Sequence, residues 1–125
     1  MPSTNTSPIT VARAYFDAMA NKNVEDALAL CDNSITCDSP LGHLDGIERF
    51  RGFQEGFARM IESLTLKAVC ADNKQAAVVY VADTLPVKGA FVAEYLTISE
   101  GKITSVRVIY DGTPFAKYAA SVQPH

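Results

Sequence analysis

The 125-residue chain is long enough for one domain with a real core and too short for two. Hydrophobic residues at 48% and charged ones at 20% are ordinary for a soluble protein, while a net charge of −3 argues against nucleic-acid binding. No apolar run approaches the roughly 20 residues of a membrane-spanning helix, so a membrane is not an expected partner either.

In chain order, Met1 to Ser7 is a polar stretch that reads as a disordered tail, leaving residues 8–125 as a single domain. It lacks the basic start and apolar core of a secretory leader, and a cytoplasmic location is expected. Cys31, Cys37 and Cys70 are odd in number and show no Cys-x-x-Cys spacing, which fits free thiols better than a disulfide framework or metal site. Ser7-Pro8 is a helix opening, an N-cap followed by proline. Ile9, Ala12, Tyr15, Phe16 and Met19 then recur at helical spacing and predict an amphipathic helix to about Asn21. Asn23 is placed to cap a second short helix with a buried stripe of Val24, Ala27, Leu28 and Cys31.

Ser34 to Asp38 predicts a short strand with Ile35 and Cys37 on one face and Thr36 and Asp38 on the other, ended by Pro40 and Gly42. Asp45 is the expected cap of a third helix carrying Ile47, Phe50, Phe53, Phe57, Met60, Ile61 and Leu64. Gly52 and Gly56 inside it suggest a smooth strip where the sheet comes close. From Leu64 the chain turns to Val, Thr, Ile and Tyr. Leu64–Ala71, Gln75–Thr84, Ala90–Ser99 and Lys102–Asp111 predict four strands, with turn signals at Asp72-Asn73-Lys74 and Glu100-Gly101. Such short links favour antiparallel neighbours. Gly112-Thr113-Pro114 stops the last strand, and Phe115 to Val122 is room for a terminal turn.

Glu94 is the sharpest single candidate, a lone carboxyl in the row Val92, Glu94, Leu96, Ile98. On a core face, desolvation favours its neutral form, and a neutral buried carboxyl can donate to an oxyanion. The alternative is a half-solvated face or one covered by a partner. Tyr15 lies on the apolar stripe of its helix, where its hydroxyl needs a partner or a cavity. Tyr80 and Tyr110 occupy similar rows. Asp38 ends a strand before Ser39-Pro40, a place suited either to a general base or to an Asx turn. His43 follows in the same loop, and only His125 joins it as a second histidine, too few for a histidine-rich metal site. There is no Gly-x-Ser-x-Gly elbow, phosphate loop or Gly-x-Gly-x-x-Gly run.

Four runs in order, Val11–Met19, Asn23–Leu28, Asp38-Ser39-Pro40-Leu41-Gly42 and Gly101–Arg107, resemble the nuclear transport factor 2-like superfamily, closest to its ketosteroid isomerase and SnoaL-like branches. The resemblance implies an α+β cone-shaped roll, with three N-terminal helices packed on a strongly curved, mostly antiparallel sheet around a deep apolar pocket, usually in a dimer. By the isomerase pattern Tyr15 and a protonated Glu94 would polarise a substrate carbonyl, and Asp38 would move the proton. Aligning on Pro40 puts Ser39 at the base position and Asp38 one residue earlier, on the opposite strand face unless a bulge intervenes. Gln54 stands where isomerases can carry a further tyrosine. The pocket would be lined by Phe53, Phe57, Val78, Tyr80, Val92, Val106, Val108 and Tyr110, and the other sheet face, with Phe91, Tyr95, Arg107 and Ile109, would meet a second subunit. The resulting expectation is a homodimeric pocket protein for a small hydrophobic molecule, needing no metal or organic cofactor. It would act either by acid/base proton transfer on a carbonyl compound, as an isomerase or lyase, or as a non-catalytic binder or dimerisation module.

Overall fold

The predicted helix opening at Ser7-Pro8 is present in the computed structural model, which describes residues 7–122. The expected tail, Ser7 apart, and His125 lie outside the described residues. Helix α1 (Pro8–Ala20) buries Val11, Ala12, Tyr15, Phe16, Ala18 and Met19, so the stripe is rotated toward Val11 and leaves Ile9 exposed. Ser7 occupies the N-cap position, yet its hydroxyl bonds Thr10 Oγ1 in place of a backbone amide. Asn23 caps α2 (Val24–Ala29) as predicted, accepting from the Asp26 amide. Cys31 does not extend that helix. It begins β1 (Cys31–Ser39), with its thiol donating to the Ala27 carbonyl.

After Ser39 the chain doubles back as β2 (Gly42–Asp45), a strand the sequence does not announce. Gly42 makes the reversal possible with φ at +125°. The expected Asp45 cap is corrected: Gly46 is the N-cap of α3 (Ile47–Met60), and its amide donates to Ile35 O. The helix also ends sooner than its spacing suggests. Ile61 and Leu64 belong to β3 (Ile61–Ala71), where pairing with the next strand overrides a pattern compatible with either period. No sheet atom approaches Gly52 or Gly56, so the smooth-strip reading of these glycines is wrong; Gly52 is exposed.

Strands β4 (Gln75–Thr84) and β5 (Ala90–Ser99) have the predicted limits, β6 (Lys102–Ile109) stops two residues earlier, and a full helix α4 (Thr113–Val122) follows where a turn was expected. The β5–β6 hairpin turns through Glu100 and Gly101, both at positive φ, which suits the twist of the strands they join. One six-stranded sheet results, in the order β2-β1-β6-β5-β4-β3. All neighbours are antiparallel except β1 and β6, and the sheet is curved, with the helices packed against it in an α+β arrangement. Burial alternates strictly along β4 and β5, setting Val78, Tyr80, Ala82, Val92, Glu94, Leu96 and Ile98 inward beside Val106 and Val108 of β6. Fully buried side chains such as Phe50 and Leu96 each contribute on the order of 1.5–3 kcal/mol. No helix among the described residues is long and apolar enough to cross a membrane.

Candidate functional site

Two polar residues interrupt otherwise apolar rows, and the fold brings them together. Glu94 comes from the inward row of β5; Gln54 comes from the core stripe of α3, four residues after Phe50 and four before Ala58. Tyr15 of α1 stands between them. Its hydroxyl donates to Glu94 Oε1 at 2.9 Å and accepts from Gln54 Nε2 at 2.6 Å. Tyr80, on the inward row of β4, donates to Glu94 Oε2 at 2.5 Å. Tyr15 is 2% and Glu94 6% exposed. Polar groups this deep are tolerated only when partnered, and no fully buried side-chain polar atom among the described residues lacks a partner.

Burial pushes the Glu94 carboxyl above its ordinary range, and the hydrogen bonds from Tyr80 and Tyr15 offset this only in part. Burial next to Glu94 also holds both phenols well above the usual tyrosine value, so they remain donors. Desolvation and the same carboxyl push the Cys31 and Cys37 thiols up to about 12. Both are free and buried, while Cys70 is free and exposed.

The network forms the polar end of a small cavity whose remaining wall is Phe16 and Met19 of α1, Leu64 of β3 and Val78 of β4. Its volume is about 10 Å³, at the lower limit for one water molecule, roughly 10–15 Å³. The deep pocket expected from the resemblance is therefore closed by side chains here. Of the expected lining residues, Val78 and Tyr80 reach the cavity. Val92, Val106 and Val108 pack in the core without bordering it. Phe53 stacks on Phe50, Phe57 is half-buried, and Tyr110 sits edge-on to Phe115, so these three also lie off the cavity. A larger groove of about 440 Å³ between α1 and α2 is open; of its polar side chains, Asn21, Asn23 and Asp26 are engaged in local helix-end bonds, and Asp17 is exposed.

Asp38 is not brought to Tyr15 and Glu94. Cys37 takes the inward position on β1, so Asp38 faces out, where its carboxylate meets His43 Nδ1 at 2.7 Å and Arg107 at 3.7 Å. The irregularity in β1 lies between Cys31 and Thr36, upstream of Asp38, and does not turn it inward. The expected proton shuttle between Asp38 and the Glu94 site is thus corrected by strand parity. His43 also contacts Asp45 through Nε2 at 2.8 Å, and these bonds raise its pKa. Among the described residues, no group of three or more His, Cys, Asp or Glu side chains is placed to hold a metal.

Sequence reasoning missed Phe16, Met19 and Leu64 as cavity walls and Gln54 as a network member. The signal for Gln54 was available: like Glu94, it is a polar residue on an apolar stripe.

Residues 12–106 match the family model of the SnoaL-like domain. A protein of known structure from Kribbella flavida DSM 17836 is 33% identical, with 93% of this chain and 96% of that one aligned at a TM-score of 0.88. A nuclear transport factor 2-like protein of unknown function from Cytophaga hutchinsonii is 17% identical over 93% and 99% of the two chains, with a TM-score of 0.79. An LEH-like epoxide hydrolase from M. tuberculosis shares the fold at 14% identity, 95% and 93% coverage and a TM-score of 0.73. No curated protein matches the sequence.

Proposed function

The chain belongs to the SnoaL-like domain family, and from that membership we propose that it binds a small hydrophobic molecule bearing an oxygen function in the cavity bounded by Tyr15, Tyr80 and Glu94. One observation carries this reading: a buried carboxyl, held by two phenols, closes the end of a cavity that is otherwise apolar. Small-ligand sites combine an apolar wall with a few convergent polar groups in this way. Met19 and Leu64 are the wall side chains that must swing aside to admit such a ligand into a space of about 10 Å³. Since Asp38 faces away, binding is favoured over an Asp38-dependent proton transfer. Any acid/base step in the cavity falls to Glu94, whose carboxyl is raised above its ordinary range by burial.

Cyclohexanone and cyclohexanol are suitable probes, followed through the Met19 methyl signal and the Glu94 carboxyl carbon. Saturable shifts at both positions are expected. Shifts at neither position, at millimolar probe, would refute the binding reading.

The proposed partner of the outer sheet face is a second copy of this chain. Phe91, Tyr95 and Ile109 are 64%, 43% and 54% exposed on adjoining strands, an apolar patch of the kind that marks interaction surfaces. Arg107 and Asp38 stand beside it in the same cross-strand row as Tyr95, so the border carries both signs of charge and suits self-association. Two buried free thiols fit the reducing interior of a cell.

A further inference from the structure

A row of polar side chains crosses the outer face of the sheet. His43 of β2 lies opposite Asp38 of β1, Asp38 opposite Arg107 of β6, and Arg107 opposite Tyr95 of β5. The row therefore runs from the edge of the sheet into the exposed patch of Phe91, Tyr95 and Ile109. Tyr95 stands three strand spacings from His43, about 14 Å at the usual separation. A stable interface covers about 800 Å² on each partner, a disc roughly 16 Å in radius, so one centred on Tyr95 extends to the imidazole. There the contacts depend on protonation. His43 Nδ1 is 2.7 Å from Asp38 and Nε2 is 2.8 Å from Asp45, and a ring can donate at both nitrogens only as imidazolium. A neutral ring turns a lone pair toward one of the two carboxylates and must release it. With the ring charged, His43 and Arg107 balance Asp38 and Asp45; with it neutral, the cluster keeps one uncompensated negative charge.

We propose that His43 gates self-association: protonated, it neutralises the border of the outer sheet face and lets a second copy of this chain dock there; neutral, it frees a carboxylate that opposes docking. This rests on the reading of that face as a self-association surface and adds its regulation. The sign follows from the charge of the partner. Each copy carries a net −3 with its histidines neutral, so a released carboxylate at the rim faces a like-charged body. Partial dehydration of an unpaired carboxylate adds to the cost. The groups facing the ring are Asp38 from β1 and Asp45 from its own strand, with Arg107 from β6 behind Asp38. Helix α3 packs against β2 as well. Among the described residues none of its charged side chains forms an ion pair with His43, and its Arg51 is taken up by Glu25 and Glu48.

The test is sedimentation of dilution series of the full chain from about pH 6 to about pH 9, in reductant, with imidazole NMR of His43. The dimer dissociation constant is expected to rise roughly tenfold as pH climbs through the His43 titration, the combined worth of one exposed charge contact on each copy. Two such rings titrate per dimer, so by linkage the His43 midpoint should stand about half a pH unit higher in concentrated than in dilute solution. His43→Gln should dimerise weakly and without slope. Asp45→Asn should dimerise more tightly than the unaltered chain at about pH 9, since it removes the uncompensated charge. One constant at every pH, a slope that survives His43→Gln, or an Asp45→Asn dimer no tighter than the unaltered one would overturn the gate while leaving the dimer reading intact. A monomer at every pH, or a dimer that Ile109→Lys does not weaken, overturns the reading of the face and the gate with it.

Discussion

Gln54 donates its side-chain amide to the Tyr15 hydroxyl at 2.6 Å, tying the core face of α3 to that of α1 across 39 residues. The bond fills the Tyr15 oxygen and so fixes which way that phenol must donate. Gln54→Leu is expected to cost about 1–2 kcal/mol, because it strips a buried acceptor of its donor while adding only apolar surface. Gln54→Glu should cost more, and increasingly so as pH rises, since it sets a second carboxyl near Glu94. Urea unfolding checks both; an unchanged midpoint for the leucine variant would mean that the bond contributes nothing.

Glu94 links stability to pH with a definite sign. Burial raises its carboxyl above the ordinary 4.5, so the folded state holds the proton to higher pH than the unfolded chain does. The advantage is complete below 4.5 and declines as pH climbs through the folded midpoint. Glu94→Gln carries no titrating proton, and its stability relative to the unaltered chain should improve across that window. Unfolding series from about pH 4 to about pH 8 will show it as converging or crossing curves, and a constant offset would exclude the linkage. Glu94→Ala, which leaves two buried phenols without their acceptor, should lose more than the glutamine variant at every pH.

His43 should titrate above 6.5, since hydrogen bonds to Asp38 and then Asp45 favour its charged form. Its contribution to stability is present below 6.5 and is lost as pH rises through the folded value. Asp38→Asn and Asp45→Asn should each lower the midpoint, and added salt should lower it in the unaltered chain because the group is exposed. Imidazole carbon or proton shifts give the midpoints directly; one at or below 6.5 would mean that the two carboxylates do not hold the ring in solution.

Sedimentation at micromolar concentration should give a dimer, and Ile109→Lys should give a folded monomer, because it sets a charge within the exposed patch of Phe91, Tyr95 and Ile109. A monomer in the unaltered chain would leave that patch without the proposed partner.

Thiol labelling separates the cysteines. Cys70 lies exposed on β3 and should react at once, while Cys31 and Cys37, buried and with thiols pushed up to about 12, should react only on unfolding. Fast labelling of all three would contradict the packing of β1.

What was legible in the sequence divides along physical lines. β4 and β5 could be bounded to the residue because strict alternation and turn residues coincide there. β2 could not, since Gly-His-Leu-Asp carries no alternation and becomes a strand only by pairing with β1. The end of α3 was hidden by Ile61 and Leu64, which continue its helical spacing while lying on β3. Within the site, Tyr15, Tyr80 and Glu94 were found as residues that do not belong in an apolar row unless partnered. The size of the cavity was not legible, because it depends on how the Phe16, Met19 and Leu64 side chains pack across three elements. Strand parity already set Asp38 apart from the inward Cys37, and the structure follows that parity.

The place of β1 in the sheet carries a consequence for how the chain is made. The β1–β2 hairpin meets the other strands only through parallel pairing with β6, the last strand to be synthesised, with the Ile103 amide donating to Leu30 O beside the junction. A polypeptide emerging from the ribosome can zip β3 to β4 and β4 to β5 in turn, each across a short link, while the earlier hairpin waits without a neighbour. Closing that long loop has an entropic cost that no local turn defrays, so it should be the slow event in refolding. Until Lys102–Ile109 arrives, the side of β1 that will pair with it is an open edge, and there a nascent chain is most exposed to pairing with the wrong strand.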